Sequence, residues 1–423
     1  MGISLTRRRS IGRISSGVFA ASLLSSLLWL SYLSVSAQHW APGKDQQSNS
    51  LATETYEKLA AEASRAREAN QMEEAITLYR KALALRPTWG EGWWYLGTLL
   101  YDRDSYSEAI SAFQQAVKLQ PRAGAAWSML GLCEFQIARY DEALEHLSKG
   151  RHVGLPADNK SLSQVARYHE ALALLLKGDF ETAQHTFDSL SYEGLKTKDL
   201  ILALGCSILQ IPSLPGKVDP SAVELVTRAG QAEYISAMKK IAEAQREFQR
   251  LVADYPTTPN VSYAYGHFLL AQREDDAAVA AFKREIEVSP EHRLAQLQIA
   301  NIKLRNKEPA AGIPFVEDLL KVNPDDALAH YIMGRLLLDM GEIERSIKSL
   351  ELARAAYPDE PKIYYQLGRA YARAKRKDDA DKALATFARL RKSAVESDTG
   401  PARSVESLQD SSEKSGTEVP PKN

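Results

Sequence analysis

Along most of this chain, apolar and polar positions follow one order. Two runs of apolar residues at helical spacing are separated by a short polar or glycine-containing break, such as Asp102-Arg103-Asp104 or Lys177-Gly178-Asp179, and the second run ends near a proline. Each run predicts an amphipathic helix and each break a tight turn, so the pattern reads as a chain of antiparallel helix pairs. Pro256, Pro290, Pro324 and Pro358 stand 34 residues apart, and Pro87 and Pro121 repeat that interval upstream. A fixed period of this length means one structural unit copied along the chain. A single helix pair cannot bury its apolar face, whereas stacked pairs can.

The units share more than proline. The one starting at Gly90 carries Trp93, Leu96, Gly97, Leu100, Ala109, Phe113, Ala116 and Pro121; the next answers with Trp127, Leu130, Gly131, Ala143, Leu147 and Gly150. Tyr56, Leu59, Ala63, Ala75, Tyr79, Ala82 and Pro87 mark the first unit, and Gly266, Ala278, Phe282 and Pro290 fall in the same register further on. So do Gly334, Leu350, Ala353 and Pro358, then Tyr364, Leu367, Gly368, Tyr371, Ala380 and Leu384. Small residues such as Gly97 and Ala109 let paired helices approach, and the terminal proline ends the second helix. The pattern resembles the tetratricopeptide repeat family. That resemblance implies an all-α, right-handed superhelical solenoid of about nine to ten units with one concave face, lined by the first helix of each pair.

The ends and the middle depart from the repeat. Residues 1–37 carry Arg7, Arg8, Arg9 and Arg13, an apolar stretch from Val18 to Leu33, and Val35-Ser36-Ala37, the layout of a secretory signal peptide cleaved after Ala37. The rival reading is an uncleaved signal anchor within residues 14–37, since the stretch approaches the roughly 18 residues that span a bilayer. Its serines and the small-residue site favour cleavage, hence an exported, periplasmic or secreted chain. Residues 38–53 read as a polar linker, 54–157 as an N-terminal array and 225–392 as a C-terminal array. Between them, 158–224 is irregular. It holds a fourth pair from about Gln164, a further first helix around Ile201 to Ile208, and the loop signal Ile211-Pro-Ser-Leu-Pro-Gly216 within 211–219. Residues 393–423, rich in Ser, Glu, Lys and Pro, lack the apolar surface to offset ordering entropy and are expected to be disordered.

Charge and chemistry narrow the function. The formal net charge is −1, and losing four signal-peptide arginines makes the mature chain more acidic, which disfavours phosphate-driven nucleic-acid binding. The two cysteines, Cys133 and Cys206, sit in apolar helical runs and read as buried free thiols. No phosphate loop, His-Glu-x-x-His, haem attachment run or nucleophile elbow is present: Gly216-Lys217 lacks the upstream glycine, and Gly205-Cys206-Ser207 lies in a helix. No catalytic, cofactor or metal site is predicted, so the chain is expected not to be an enzyme.

What remains is the face of the first helices. In the resembling family the inward residues fall at the second, fifth, sixth, ninth, twelfth and thirteenth places of a unit. In the N-terminal units these include Trp94, Tyr95 and Tyr101, then Met129, Leu132 and Phe135, an apolar strip suited to a peptide or helix, unless part of it packs between units. In the C-terminal units they include Asn301 and Arg305, Tyr331 and Arg335, then Lys362, Tyr365, Arg369 and Arg373. Asn301, Arg335 and Arg369 occupy one place in three successive units and suit the carboxylates of an extended peptide, the alternative being a partly self-paired charged face. Likeness to the family's two-carboxylate clamp is partial: Asn301 and Lys362 fit, whereas Leu297, Ile332 and Gln366 stand where lysine, asparagine and arginine are wanted. The expected role is an exported scaffold that takes a protein or peptide partner into the groove. A membrane-anchored assembly factor for an envelope complex and an accessory subunit of a cell-envelope or polysaccharide-processing enzyme are the alternatives.

Overall fold

A computed structural model describes the protein over residues 50–155 and 160–397. The regions expected to hold the cleavage after Ala37, most of the linker and most of the tail lie outside the described residues. Among the described residues every regular element is a helix. In chain order these are α1 (Ser50–Glu68), α2 (Met72–Leu85), α3 (Gly90–Asp102), α4 (Tyr106–Leu119), α5 (Gly124–Gln136), α6 (Tyr140–Val153), α7 (Lys160–Leu176) and α8 (Phe180–Tyr192). Next come α9 (Lys198–Ile208), α10 (Val223–Ala237), α11 (Ile241–Asp254), α12 (Val261–Ala271) and α13 (Asp275–Val288). The last six are α14 (Arg293–Arg305), α15 (Pro309–Val322), α16 (Ala327–Met340), α17 (Ile343–Ala356), α18 (Pro361–Arg373) and α19 (Lys377–Ser397). They form two compact units, one with α1–α8 up to Leu190 plus residues 212–220, the other with residues 191–211 and those from 221 onward.

Two boundaries differ from expectation. Helix α1 begins at Ser50 rather than 54, and α19 continues to Ser397, beyond the expected end at 392. Neither stretch contains a breaker: Ala, Glu, Arg and Lys run on past Phe387, and the next glycine and proline are Gly400 and Pro401. Propensity therefore extends the last helix where the apolar period has already faded.

Within each unit the same devices recur. A residue with left-handed backbone links the two helices of every pair: Asn70, Asp104, Ala138, Gly178, Lys239, Arg273, Lys307, Gly341 and Lys375. The amide of the following residue bonds five residues back, as in Ser105 N to Leu100 O at 2.9 Å and Glu342 N to Leu337 O at 2.9 Å, so orphan carbonyls at the end of each first helix are met. Large side chains near the middle of the second helix, Tyr79, Phe113, Phe187, Phe248 and Phe282, are completely buried. Truncating one to alanine costs about 3–5 kcal/mol. Phe113 sets the need for Gly97 on the facing helix, because a Cβ there would lie 2.8 Å from its ring.

Tryptophan and proline, read as separate marks in the sequence, are joined in space. Trp93 Nε1 donates to Pro87 O at 2.8 Å, and Trp127 Nε1 to Pro121 O at 2.9 Å. Three different donors make the same bond in the second unit: Gln296 Nε2 to Pro290 O, His330 Nε2 to Pro324 O and Tyr364 Oη to Pro358 O, at 2.7–2.8 Å. Each bond ties the start of a first helix to the turn that precedes it.

The irregular region has a specific origin. Helix α9 ends as a first helix does, with left-handed Gln210 and an Ile211 N to Cys206 O bond of 2.8 Å. No second helix follows. A loop with one short 3-10 turn, Pro215–Lys217, leads to α10, which packs directly on α9. Two first-type helices meet there through glycines: a Cβ on Gly230 would lie 1.8 Å from Ile201 O, and one on Gly205 would lie 1.9 Å from Val226 O. Cys133 and Cys206 are both buried and free, and burial pushes both thiols up, Cys206 to about 12.

Candidate functional site

First helices of successive pairs touch within each unit, α3 with α5 and α5 with α7 in the first, α14 with α16 and α16 with α18 in the second. Their shared wall carries all the candidate residues. In the first unit much of the aromatic strip is consumed by packing. Met129, Leu132 and Phe135 are 4%, 2% and 9% exposed, which leaves little of any of them for a ligand. Phe135 is enclosed by Tyr140 and His169, with ring centroids at 5.1 and 4.9 Å. Trp94 is half-buried and meets Phe113 edge-on at 5.6 Å. Tyr95 is half-buried too, stacked obliquely on Tyr79 at 5.8 Å, and the Arg67 guanidinium covers its ring at 3.8 Å. Tyr101 rests against Tyr106 at 5.5 Å, and burial pushes its phenol well above the usual range. Trp94 and Tyr101 thus pack within their own helix pair, Tyr95 and Phe135 also bridge to a neighbouring repeat, and the surface they leave is the Arg67–Tyr95 step. Arg67 was not foreseen; its twelfth place, equivalent to Tyr101, is the signal that could have found it.

In the second unit the basic residues remain nearer the surface but are not idle. Arg335 Nη1 lies 3.4 Å from Asn301 Oδ1, and its guanidinium sits 5.5 Å over the Tyr331 ring. Arg369 Nη1 donates to Gln366 Oε1 at 2.9 Å, while its Nη2 approaches Asp339 Oδ1 only to 3.9 Å. Arg373 Nη1 donates to Leu338 O at 2.5 Å, fastening α18 to the end of α16. Arg305 forms an ion pair with Asp275. Lys362 is half-buried, and its ammonium makes no ion pair among the described residues. Tyr365, 38% exposed, faces Phe387 at 5.4 Å. The three places where the clamp pattern fails, Leu297, Ile332 and Gln366, are 0%, 0% and 4% exposed, so core packing occupies them. Glu342 is held by Arg345 at 2.5 Å, leaving Asp339 as the acid beside the arginines.

Buried polar groups elsewhere serve the scaffold. Glu285 is completely buried at a place where the other units carry only apolar residues or glycine, such as Ala116, Gly150 and Leu251, and it accepts from Asn260 N at 2.7 Å and Tyr263 N at 3.1 Å, capping α12 from inside. His292 caps α14 by accepting Ala295 N–H on Nδ1 at 3.1 Å, and its Nε2 donates to Asn260 Oδ1 at 2.9 Å. Asp326 caps α16 and pairs with Arg293. Among the described residues no group of three or more His, Cys, Asp or Glu side chains could hold a metal ion, and no helix is long and apolar enough to cross a membrane.

No curated protein matches the chain. Among solved structures, MamA 41-end from Desulfovibrio magneticus RS-1 is 22% identical over 40% of this chain and 94% of its own, with a TM-score of 0.35. YrrB, described as a TPR protein with an unusual peptide-binding site, is 14% identical over 41% of this chain and 91% of its own, with a TM-score of 0.36. The Cut9–Hcn1 hetero-tetramer of the APC/C is 14% identical over 79% of this chain and 87% of the matched chain, with a TM-score of 0.36. A family model described as tetratricopeptide repeat matches residues 60–113, 95–152, 236–292 and 333–394, together half of the chain. With the 34-residue period, the left-handed turn in every pair and the contact between successive first helices, that match shows that the chain belongs to the tetratricopeptide repeat family.

Proposed function

We propose that this protein is an exported interaction scaffold that holds an acidic peptide segment of a protein partner on the first-helix face of its second unit. The observation that carries the reading is the contact of Arg335 on α16 with Asn301 on α14, together with the approach of Arg369 on α18 to Asp339, one turn beyond Arg335, with Lys362 at helical spacing on the same face as Arg369. Guanidinium groups recognise carboxylates bidentately, and a column of them across packed helices offers several at fixed spacing. The Arg67–Tyr95 step of the first unit is the smaller candidate surface. Export rests on the signal-peptide layout of residues 1–37.

The test is affinity purification of the tagged full chain from its native host beside an Arg335→Glu, Arg369→Glu form, with the mature N-terminus sequenced from the same sample. A partner recovered by the wild type and lost by the variant supports the basic face. The same partner retained by both moves recognition away from it. A mature chain beginning after Ala37 in an extracytoplasmic fraction supports export, and an intact N-terminus in the membrane fraction favours the anchored alternative.

A further inference from the structure

We propose that Asp339 is a built-in competitor for the basic end of this face, so that the face selects segments bearing several carboxylates over those bearing one. The proposal rests on the peptide-binding reading above and adds the selection rule to it.

Helical spacing puts Lys362, Arg369 and Arg373 on one face of α18 and Arg335 and Asp339 on one face of α16, and Asp339, near the end of α16, approaches Arg369. Its carboxylate has no hydrogen bond among the described residues. The approach to Arg369 Nη2 is 3.9 Å, beyond hydrogen-bond distance, with side-chain exposures of 39% for Arg369 and 26% for Asp339. The neighbouring acid–base pair of this wall is different: Arg305 and Asp275 are 17% and 20% exposed and in direct contact. Asp339 is thus placed to weaken the local positive potential without closing it. An exposed pair of this kind contributes about 0–1 kcal/mol, so a ligand displaces it readily.

A ligand with one carboxylate only exchanges one negative partner of Arg369 for another and gains almost nothing. A ligand with a second carboxylate also reaches the Lys362 ammonium, seven residues away on the same helix, about 10 Å along its axis. A polyproline-type segment repeats its side chains every three residues, about 9 Å apart, and matches that separation.

The probe is a fluorescein-labelled Glu-Pro-Pro-Glu-Pro-Pro-Glu peptide, with a one-Glu analogue as comparison, read by fluorescence anisotropy on the full chain. The expected result is that Asp339→Asn tightens the one-Glu peptide about threefold to fivefold, the equivalent of an exposed pair, and narrows its gap to the three-Glu peptide. Arg369→Gln should weaken the three-Glu peptide and abolish the effect of Asp339→Asn in the double variant. Unchanged or weaker binding by Asp339→Asn, with Arg369→Gln still weakening it, overturns the competitor and leaves the peptide face standing. No binding by wild type and Asp339→Asn alike overturns both.

Discussion

Arg335 Nη1 and Asn301 Oδ1 lie 3.4 Å apart, although 34 residues separate them in the chain. Equivalent side chains of these two consecutive repeats therefore touch, and the charges on this part of the second unit's first-helix wall are coupled from one repeat to the next. Asn301→Asp places a carboxylate against Arg335 and removes positive potential from the face. Binding of the three-Glu peptide should weaken about threefold to tenfold, with little change in melting temperature, as anisotropy and thermal melts of the same samples will show.

Trp127→Phe keeps an aromatic ring against His146, smaller than the indole, and removes the donor to Pro121 O. Water reaches this site, so the loss should be about 0.5–1.5 kcal/mol in urea unfolding. Tyr364→Phe, which removes the corresponding bond to Pro358 O, should have an effect of similar size. An unchanged midpoint in both variants would show that the turn holds without this bond.

Gly230→Ala sets a methyl group against the Ile201 carbonyl, 1.8 Å from where Cβ must stand. Backbone lines both sides of that contact, so the helices must separate, at a cost of about 1–3 kcal/mol. Hydrogen exchange should rise first in α9 and α10, while α3 and α4 keep wild-type protection.

His292 gives a pH dependence with a defined sign. Its Nδ1 must be unprotonated to cap α14, and burial lowers its affinity for protons while the nearby Glu285 opposes that shift. The folded state thus binds a proton more weakly than the unfolded chain. Stability from this group is complete above the ordinary histidine value near 6.5 and falls as pH drops through the lower folded value. The groups packed around it are Glu285, Asn260 and the Tyr263 ring. His292→Asn, which can still accept the cap bond, should flatten the melting-temperature profile between about pH 7 and pH 5 relative to wild type. A parallel profile would assign the acid sensitivity to other groups, His169 and His267 among them.

Lys307 holds left-handed backbone at φ 63°, whereas the equivalent residue one repeat later is glycine, Gly341 at φ 82°. Lys307→Gly relieves the side-chain strain of that conformation but adds disorder to the unfolded chain. The net gain should be up to about 1 kcal/mol in urea unfolding, and a destabilised variant would show that the added freedom of the unfolded chain outweighs the relieved strain.

The recurrence of residues like Gly97, Phe113 and Pro121 at fixed intervals was enough to specify helix pairs stacked in register, because a small residue admits the large side chain of the facing helix and a lone pair cannot bury its apolar face. Prolines 34 apart and polar breaks between runs placed most helix ends to within a few residues. Three other matters depended on groups distant in sequence. An interruption after α9 was visible as Ile211-Pro-Ser-Leu-Pro-Gly216, but the complete absence of a second helix and the direct packing of Gly205 on Gly230 depend on backbone approach in space. The buried Glu285 looks like an ordinary helix-surface charge in the sequence, and only the fold brings the Asn260 and Tyr263 amides to it. The candidate face was legible as positions, since register assigns Asn301, Arg335 and Arg369 to one side of their helices. Which of those positions keep free surface was decided by neighbours from other repeats: packing consumes Met129, Leu132 and Phe135, and the Leu338 carbonyl engages Arg373. Periodicity specifies which way a side chain points, whereas exposure and pairing are set by residues a whole repeat away.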